Sequence, residues 1–451
     1  MKQQKYDLVV IGGGNTGLSA AYRVARAGRR VALVDKGPVG GLCSLAGCNP
    51  KKVLVRASEV LGTVREAGKH GVKTGNISID WETVWKRKHS FTDHVPESTE
   101  TSLANNNVER VRAVARFIDE RTIEAGDEQL RAEAFVIATG SHPRRLEIAG
   151  AELLKISDDI LELKEPPKRM VIIGSGVVAF EFAHVFARLG TKVTMLMHGR
   201  GGLSGFDDDF ARVALEFTRD DLGVEFKPLT EVTSISKKGD AYRVECECEG
   251  REEVREADFV LNAAGRVAAI EELNLAAANV ETSQRGIVVD AFLRSKTNRR
   301  VFAGGDAHGI RQLSPVASYE GRVIAENFLQ GDVREVDYTT IPQSIFITPP
   351  LASVGLTETI AREIGLNISV HTADMAKWMV YAIAGEPIAR ALVVADANSG
   401  KVLGAQLFGA AAAENIHLFA LAIQCGVTTD HLKEMVYAYP TFASTIQSLF
   451  A

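Results

Sequence analysis

Short apolar runs alternate with longer stretches of helical spacing along the 451-residue chain, and glycine clusters stand where one gives way to the other. Asp7-Leu8-Val9-Val10-Ile11 is a β-rich run of the kind that forms a buried parallel strand. Gly12-Gly13-Gly14-Asn15-Thr16-Gly17 follows it. The spacing then predicts a helix from Leu18 to Ala27, closed by Gly28, and a strand, Val31-Ala32-Leu33-Val34, that ends on Asp35. The same unit recurs 162 residues later. Met170-Val171-Ile172-Ile173 leads into Gly174-Ser175-Gly176-Val177-Val178-Ala179. A helix to about Leu189, a stop at Gly190 and the strand Val193-Thr194-Met195-Leu196 complete it. Asp35 stands 23 residues past Gly12, and Met197 stands 23 past Gly174. Two βαβ units in one register imply an α/β fold with two Rossmann-like dinucleotide-binding domains.

A helix is expected from about Pro50 to Ala67, with Val53, Ala57, Val60, Leu61 and Val64 at helical spacing. Two further helical patterns follow, to about Asn107, and Pro166-Pro167 marks a boundary before the second unit. After about Val336 the pattern changes. Ile345-Phe346-Ile347, Leu392-Val393-Val394 and Val402-Leu403-Gly404 read as strands, and Ala410 to Gly426 as an apolar helix. This part is assigned to a third, α+β domain.

Composition narrows the function classes. Apolar residues make up 46% and charged residues 24%, which is globular and argues against disorder or coiled coil. Fifty-two basic against 57 acidic residues leave a net charge of -5, so nothing points to nucleic acid as a partner. No apolar run approaches the length of about 18 residues that suggests a membrane span. The N-terminus enters a strand without the apolar stretch of a secretory signal. Five cysteines do not make a disulfide scaffold, and a cytoplasmic, reducing compartment is expected. None of the ten histidines has ligand-like spacing to another, so no metal site is expected.

Candidate chemistry lies at the loops. Gly12, Gly14 and Gly17 permit a tight turn and let a pyrophosphate approach backbone N–H groups at a helix N-terminus, while Asp35 suits the ribose hydroxyls. In the second unit Gly174 and Gly176 are kept, but Ala179 takes the third glycine position and Met197 the place of the acid. His198 and Arg200 follow, and cations suit a 2′-phosphate, so NADPH is expected with NADH as the alternative. Cys43-Ser44-Leu45-Ala46-Gly47-Cys48 is the most pointed local signal. Pro50 suits a first helical turn, and Lys51 and Lys52 stand beside Cys48. Both features favour a Cys48 thiolate. A bridge between the two cysteines is allowed by the spacing, which does not establish it. Cys246 and Cys248 are expected to be structural, and Cys425 to lie in the core.

These segments together resemble the flavin-dependent pyridine nucleotide–disulfide oxidoreductases, the family of dihydrolipoyl dehydrogenase, glutathione reductase and mercuric reductase. Gly40-Gly41-x-Cys43 to Cys48-x-Pro50-Lys51-Lys52 resembles the family's redox-active disulfide segment. Ala138-Thr139-Gly140-Ser141-x-Pro143 resembles its crossing between the FAD and NAD(P) domains. Ala303-Gly304-Gly305-Asp306 resembles the second FAD motif, whose Asp holds the ribityl chain. Leu313-Ser314-Pro315-Val316-Ala317 resembles the start of a helix facing the flavin. Gly174 to Glu181 resembles the NAD(P) fingerprint, with Gly265 expected on the same side. Glu181 matches a Glu that pairs with a Lys near the flavin, Lys52 being favoured over Lys51.

The resemblance implies FAD-binding parts at 1–150 and 270–335, an NAD(P)-binding domain at 151–269 and a dimerisation domain at 336–451. It also implies a homodimer that passes electrons from NAD(P)H through FAD to a Cys43–Cys48 disulfide and on to a disulfide or thiol-linked acceptor. Cys48 would be the flavin-proximal sulfur and Cys43 the interchange sulfur. Two alternatives stand beside this reading: a metal-ion, metalloid or quinone reductase, and a non-catalytic nucleotide-binding paralogue. Three departures matter. In the family, the His and Glu of His-Pro-Thr-x-x-Glu reach the partner subunit's disulfide as an acid–base pair; here the stretch is Tyr439-Pro440-Thr441-Phe442-Ala443-Ser444, with Tyr439 in place of the His and Ser444 in place of the Glu. Mercuric reductases are similar in having Tyr there but add a C-terminal cysteine pair, which this chain does not show. Val177 takes the place of a Tyr that often shields the flavin.

Overall fold

A computed structural model describes residues 2–199 and 203–450. The chain forms two compact units. The first comprises Met1–Val53, Thr83–Arg145 and Gly265–Val336, and the second Leu54–Glu82, Leu146–Ala264 and Asp337–Ala451.

The first unit is built on the strand Lys2–Ile11. It lies between Val31–Val34 and Glu128–Ile137, parallel to both, and Val301–Ala303 adds a further parallel strand beyond Glu128–Ile137. Side chains alternate along a strand, and both faces are buried here, which is why the run is apolar without alternation. Leu8 and Val10 enter one core with Ala20, Ala21 and Val24 of the helix Asn15–Arg26 and with Val323 and Ile324 of the helix Ser314–Gln330. Val9 and Ile11 enter the other, with Phe117, Ile123 and Phe135. The two helical patterns before Asn107 are the helices Trp81–Thr92 and Val95–Asn105.

In the second unit the parallel strands run in the order Glu225–Lys227, Lys192–Leu196, Arg169–Ile173, Phe259–Asn262. One face meets the antiparallel sheet of Thr230–Lys238, Ala241–Cys248 and Arg251–Ala257 through Val171, Ile173, Ile235, Val244 and Cys246. The helix Val177–Arg188 is buried nearly all round. A five-stranded antiparallel sheet, from Gln343–Ile345 to Val402–Phe408, packs Ala405 and Leu407 against Ile416, Phe419 and Ala422 of the helix Ala412–Cys425.

Two readings from the sequence need correction. The strand expected over Ile345-Phe346-Ile347 stops at Ile345, because the Phe346 N–H leaves the ladder to donate to the Glu181 carboxylate at 2.9 Å. Cys425 is exposed, because the inward face of its helix is set by Ile416, Phe419 and Ala422 and the last residue falls outside that stripe.

Candidate active site

The nucleotide loop of the first unit is shaped by close backbone approach. Gly12 has φ +109°, and a Cβ there would lie 2.2 Å from the Ala138 carbonyl oxygen. Gly174 repeats this in the second unit, with φ +123° and a Cβ 2.2 Å from the Ala263 oxygen. The two units share one geometry where the strand-end loops cross, as their common register implies. Gly14 and Gly176 precede the helices Asn15–Arg26 and Val177–Arg188, and neither helix has a side-chain cap. Their first N–H groups therefore face a site suited to a pyrophosphate. Gly17 is buried within the first helix.

Asp35 is half-buried at the end of its strand. Its carboxylate accepts the Gly13 N–H at 2.6 Å and the Gly37 N–H at 2.9 Å, which fixes its orientation. Beyond Glu128–Ile137 the chain turns through Thr139 and Gly140. Thr139 Oγ1 is buried and finds no hydrogen-bond partner among the described residues. An orphaned buried hydroxyl beside a glycine loop fits a polar ligand atom such as those of a dinucleotide. Asp306 sits in the turn Gly305–Ala307 and accepts the Ser141 hydroxyl at 2.6 Å. Arg266 in turn donates to Ser141 Oγ at 2.8 Å and to its carbonyl at 2.6 Å. Gly265 accepts the Arg144 N–H at 2.9 Å. Arg266 carries no motif signal of its own, and the pairing of Arg266–Ala268 with Ser141–Pro143 brings it to Ser141 and Asp306.

Cys43 lies in the short helix Gly41–Leu45, and a Cβ on Gly41 would come within 2.5 Å of the Gly14 Cα. The redox segment thus touches the nucleotide loop directly. Cys48 is the first residue of the helix Cys48–Glu66, with Pro50 and Lys52 in its first turn. The electrostatics reverse the sequence expectation. A hydrogen bond from the Cys48 thiol, reinforced by one from Ser314 and by the charge of Lys51, lowers the Cys43 thiol to about 6. The same bond to Cys43, with burial, raises the Cys48 thiol. The two thiols titrate as a pair, and Ser314, in addition to Cys48, donates to the Cys43 sulfur. Pro315, Val316 and Ala317 follow Ser314 in the first turn of the helix Ser314–Gln330, with Val316 buried.

In the second unit Ala179 is fully buried and Met197 nearly so. Met197 bonds through its backbone to Lys227 and Thr230, so its side chain serves the core and does not replace the acid of the first loop. His198 is exposed, and Arg200 lies outside the described residues. Glu181 is buried on the helix Val177–Arg188. Val177, at its start, is 41% exposed. Cys246 and Cys248 turn their sulfurs to the carbonyls of Glu253 and Pro228. Tyr439 is 73% exposed and its hydroxyl has no partner among the described residues. Ser444 Oγ donates to the Thr441 carbonyl at 2.6 Å and closes its own turn. No described helix is long and apolar enough to cross a membrane.

Comparison with known proteins agrees with this geometry. Residues 6–321 match the pyridine nucleotide-disulphide oxidoreductase family, and residues 341–450 match the dimerisation domain of pyridine nucleotide-disulphide oxidoreductases. Mercuric reductase of Staphylococcus aureus is 31% identical over 98% of this chain and 81% of its own length. Glutathione reductase of Nostoc sp. is 32% identical over 97% of this chain and 98% of its own. The Cu(II) complex of the HOCl-induced flavoprotein disulfide reductase RclA from Escherichia coli superposes with a TM-score of 0.88 at 27% identity, covering 99% of both chains. A redox-cysteine segment against a glycine loop, two such loops in one register and these whole-length similarities lead to one conclusion: the chain belongs to the pyridine nucleotide–disulphide oxidoreductase family and is an FAD-dependent, NAD(P)H-linked flavoprotein disulfide oxidoreductase.

Proposed function

We propose that electrons pass from NADPH through FAD to the Cys43–Cys48 pair, and from Cys43 to a disulfide or thiol-linked acceptor that needs no acid–base pair from a partner subunit. Bound FAD supplies hydride acceptance and two-electron transfer. The chain's residues hold and tune the site. Gly12, Gly14, Gly17, Asp35, Gly41, Thr139, Gly140 and Asp306 would hold FAD, together with the first turn from Pro315 to Ala317. Gly174, Gly176, Ala179 and His198 form the NADPH side. Cys48 is the flavin-proximal sulfur, and Cys43 attacks the acceptor as the thiolate. A copy-to-copy interface over the dimerisation domain covers Met379, Ile383, Leu421, Met435 and Val436, all exposed in the single chain.

One observation carries the acceptor reading. The tail offers an exposed Tyr439 and a Ser444 bonded to its own turn, where a proton shuttle would be needed. A phenol is a poor proton shuttle near neutral pH. A second reading is favoured by the relatives: a thiophilic metal ion as the substrate. Mercuric reductase and the Cu(II) complex of RclA are both among them, and two adjacent sulfurs suit a soft ion. Turnover with NADPH on glutathione disulfide, lipoamide, larger mixed disulfides, Cu(II) and Hg(II) separates these. Reduction of the Cys43–Cys48 disulfide is expected to be fast in stopped flow. Glutathione disulfide and lipoamide should turn over more slowly by about 10²- to 10⁴-fold, the usual worth of acid–base catalysis. Rapid turnover of either would show that another group moves the proton.

A further inference from the structure

Cys43 has a hydrogen-bond donor that arrives from the far end of its unit. Ser314 Oγ lies 3.0 Å from Cys43 Sγ. Asn15 Nδ2 lies 2.5 Å from Ser314 Oγ and leans on the Ser314 carbonyl at 3.5 Å. A carbonyl only accepts, so the Asn15 amide presents its N–H₂ side. The Ser314 oxygen receives that hydrogen, and its own proton is left to point at the sulfur. Asn15 opens the helix Asn15–Arg26 and Ser314 opens the helix Ser314–Gln330. First turns carry the positive end of the helix dipole, which favours a nearby anion. All three residues belong to the first unit.

We propose that Ser314, oriented by Asn15, is the donor that keeps Cys43 as a thiolate in the reduced enzyme, doing from within the subunit part of what a partner's His–Glu pair would do. The proposal rests on Cys43 being the acceptor-facing sulfur. Ser314 is a catalytic residue in this sense, since it touches the reacting atom, and Asn15 is a positioning residue that acts through it. The hydroxyl stabilises the negative charge and delivers no proton, which leaves small disulfides without an acid for their leaving thiolate. The low pKa of Cys43 agrees, with Ser314 among its causes after Cys48.

The test is alkylation of the FAD-loaded protein after reduction by a phosphine, with Cys43 and Cys48 peptides followed separately across pH. Wild type should show a Cys43 midpoint near 6. Ser314→Ala should raise it by about one to two pH units, because a hydrogen bond to a charged group is lost. That lowers the alkylation rate at neutral pH by about two- to tenfold. Ser314→Thr keeps the hydroxyl and should keep the midpoint, and Asn15→Ala should move it upward by less than Ser314→Ala. An unmoved midpoint in Ser314→Ala overturns the proposal, as does Ser314→Thr shifting as far as Ser314→Ala. Neither NADPH nor an acceptor enters this assay. A protein that shows these shifts yet fails to turn over any acceptor contradicts the functional reading and leaves the role of Ser314 standing.

Discussion

Alanine at Gly12 and at Gly28 makes a matched pair that isolates the shape of the first nucleotide loop. Both glycines have positive φ, +109° and +81°. Each substitution therefore incurs the left-handed cost of about 1–2 kcal/mol. They differ in what the new Cβ meets. At Gly28 nothing lies within 4 Å, whereas at Gly12 the Ala138 carbonyl oxygen is at 2.2 Å and its carbon at 2.6 Å. Relief would have to displace the Ala138 peptide, whose N–H is bonded to the Ile11 carbonyl at 2.8 Å and whose neighbour is Thr139. Overpacking of this kind costs about 1–3 kcal/mol. Gly12→Ala should therefore lose about 2–5 kcal/mol against about 1–2 for Gly28→Ala. At about 2–4 °C per kcal/mol for a domain of this size, the melting points should separate by several degrees. Gly12→Ala should also release flavin on desalting, measured by absorbance of the filtrate, while Gly28→Ala retains it. Equal melting points together with full flavin retention in Gly12→Ala would refute the steric account of the loop.

Three further outcomes are expected. Thr139→Val removes an orphaned buried hydroxyl, so the flavin-free protein should melt no lower, yet FAD should bind more weakly by about 1–3 kcal/mol if it supplies the missing partner; unchanged FAD affinity by titration assigns the hydroxyl no ligand. His184 is neutral, donating to Thr218 Oγ1 at 2.9 Å and accepting the Thr348 N–H, and burial followed by the charge of Arg188 lowers it to about 3. The unfolded chain then binds the proton more readily, so stability is whole above the ordinary pKa of 6.5 and declines as pH falls toward 3. About 2 kcal/mol should be gone at pH 5, and denaturant unfolding of His184→Gln should lack that slope; identical slopes would contradict it. His198→Asp and Arg200→Glu should each move the kcat/KM ratio toward NADH by an amount on the order of 1–3 kcal/mol, and a wild type that uses NADH as well as NADPH removes the phosphate-binding assignment.

What the sequence determined by itself was whatever depends on neighbours along the chain. The two glycine loops, their strands and helices and the Cys43 to Cys48 segment are local patterns, and each lies where its pattern implied. Chain-end chemistry was legible for the same reason, since Tyr439 and Ser444 are read by position against a motif. Folding decided what depends on residues brought together from afar. Met197 matched the place of an acid, yet its backbone bonds to Lys227 and Thr230 turn it into the core. A lowered thiol was expected on Cys48 from its helix and lysines, and it is the Cys43 thiol that is lowered, by the hydrogen bond from Cys48 and by one from Ser314, 271 positions away in the chain. The Arg266–Ser141–Asp306 chain and the Asn15–Ser314 contact have no spacing to betray them. Periodicity reports which face of an element is buried, but not which distant polar atom will meet it there, and hydrogen bonds and pKa shifts are set by those meetings.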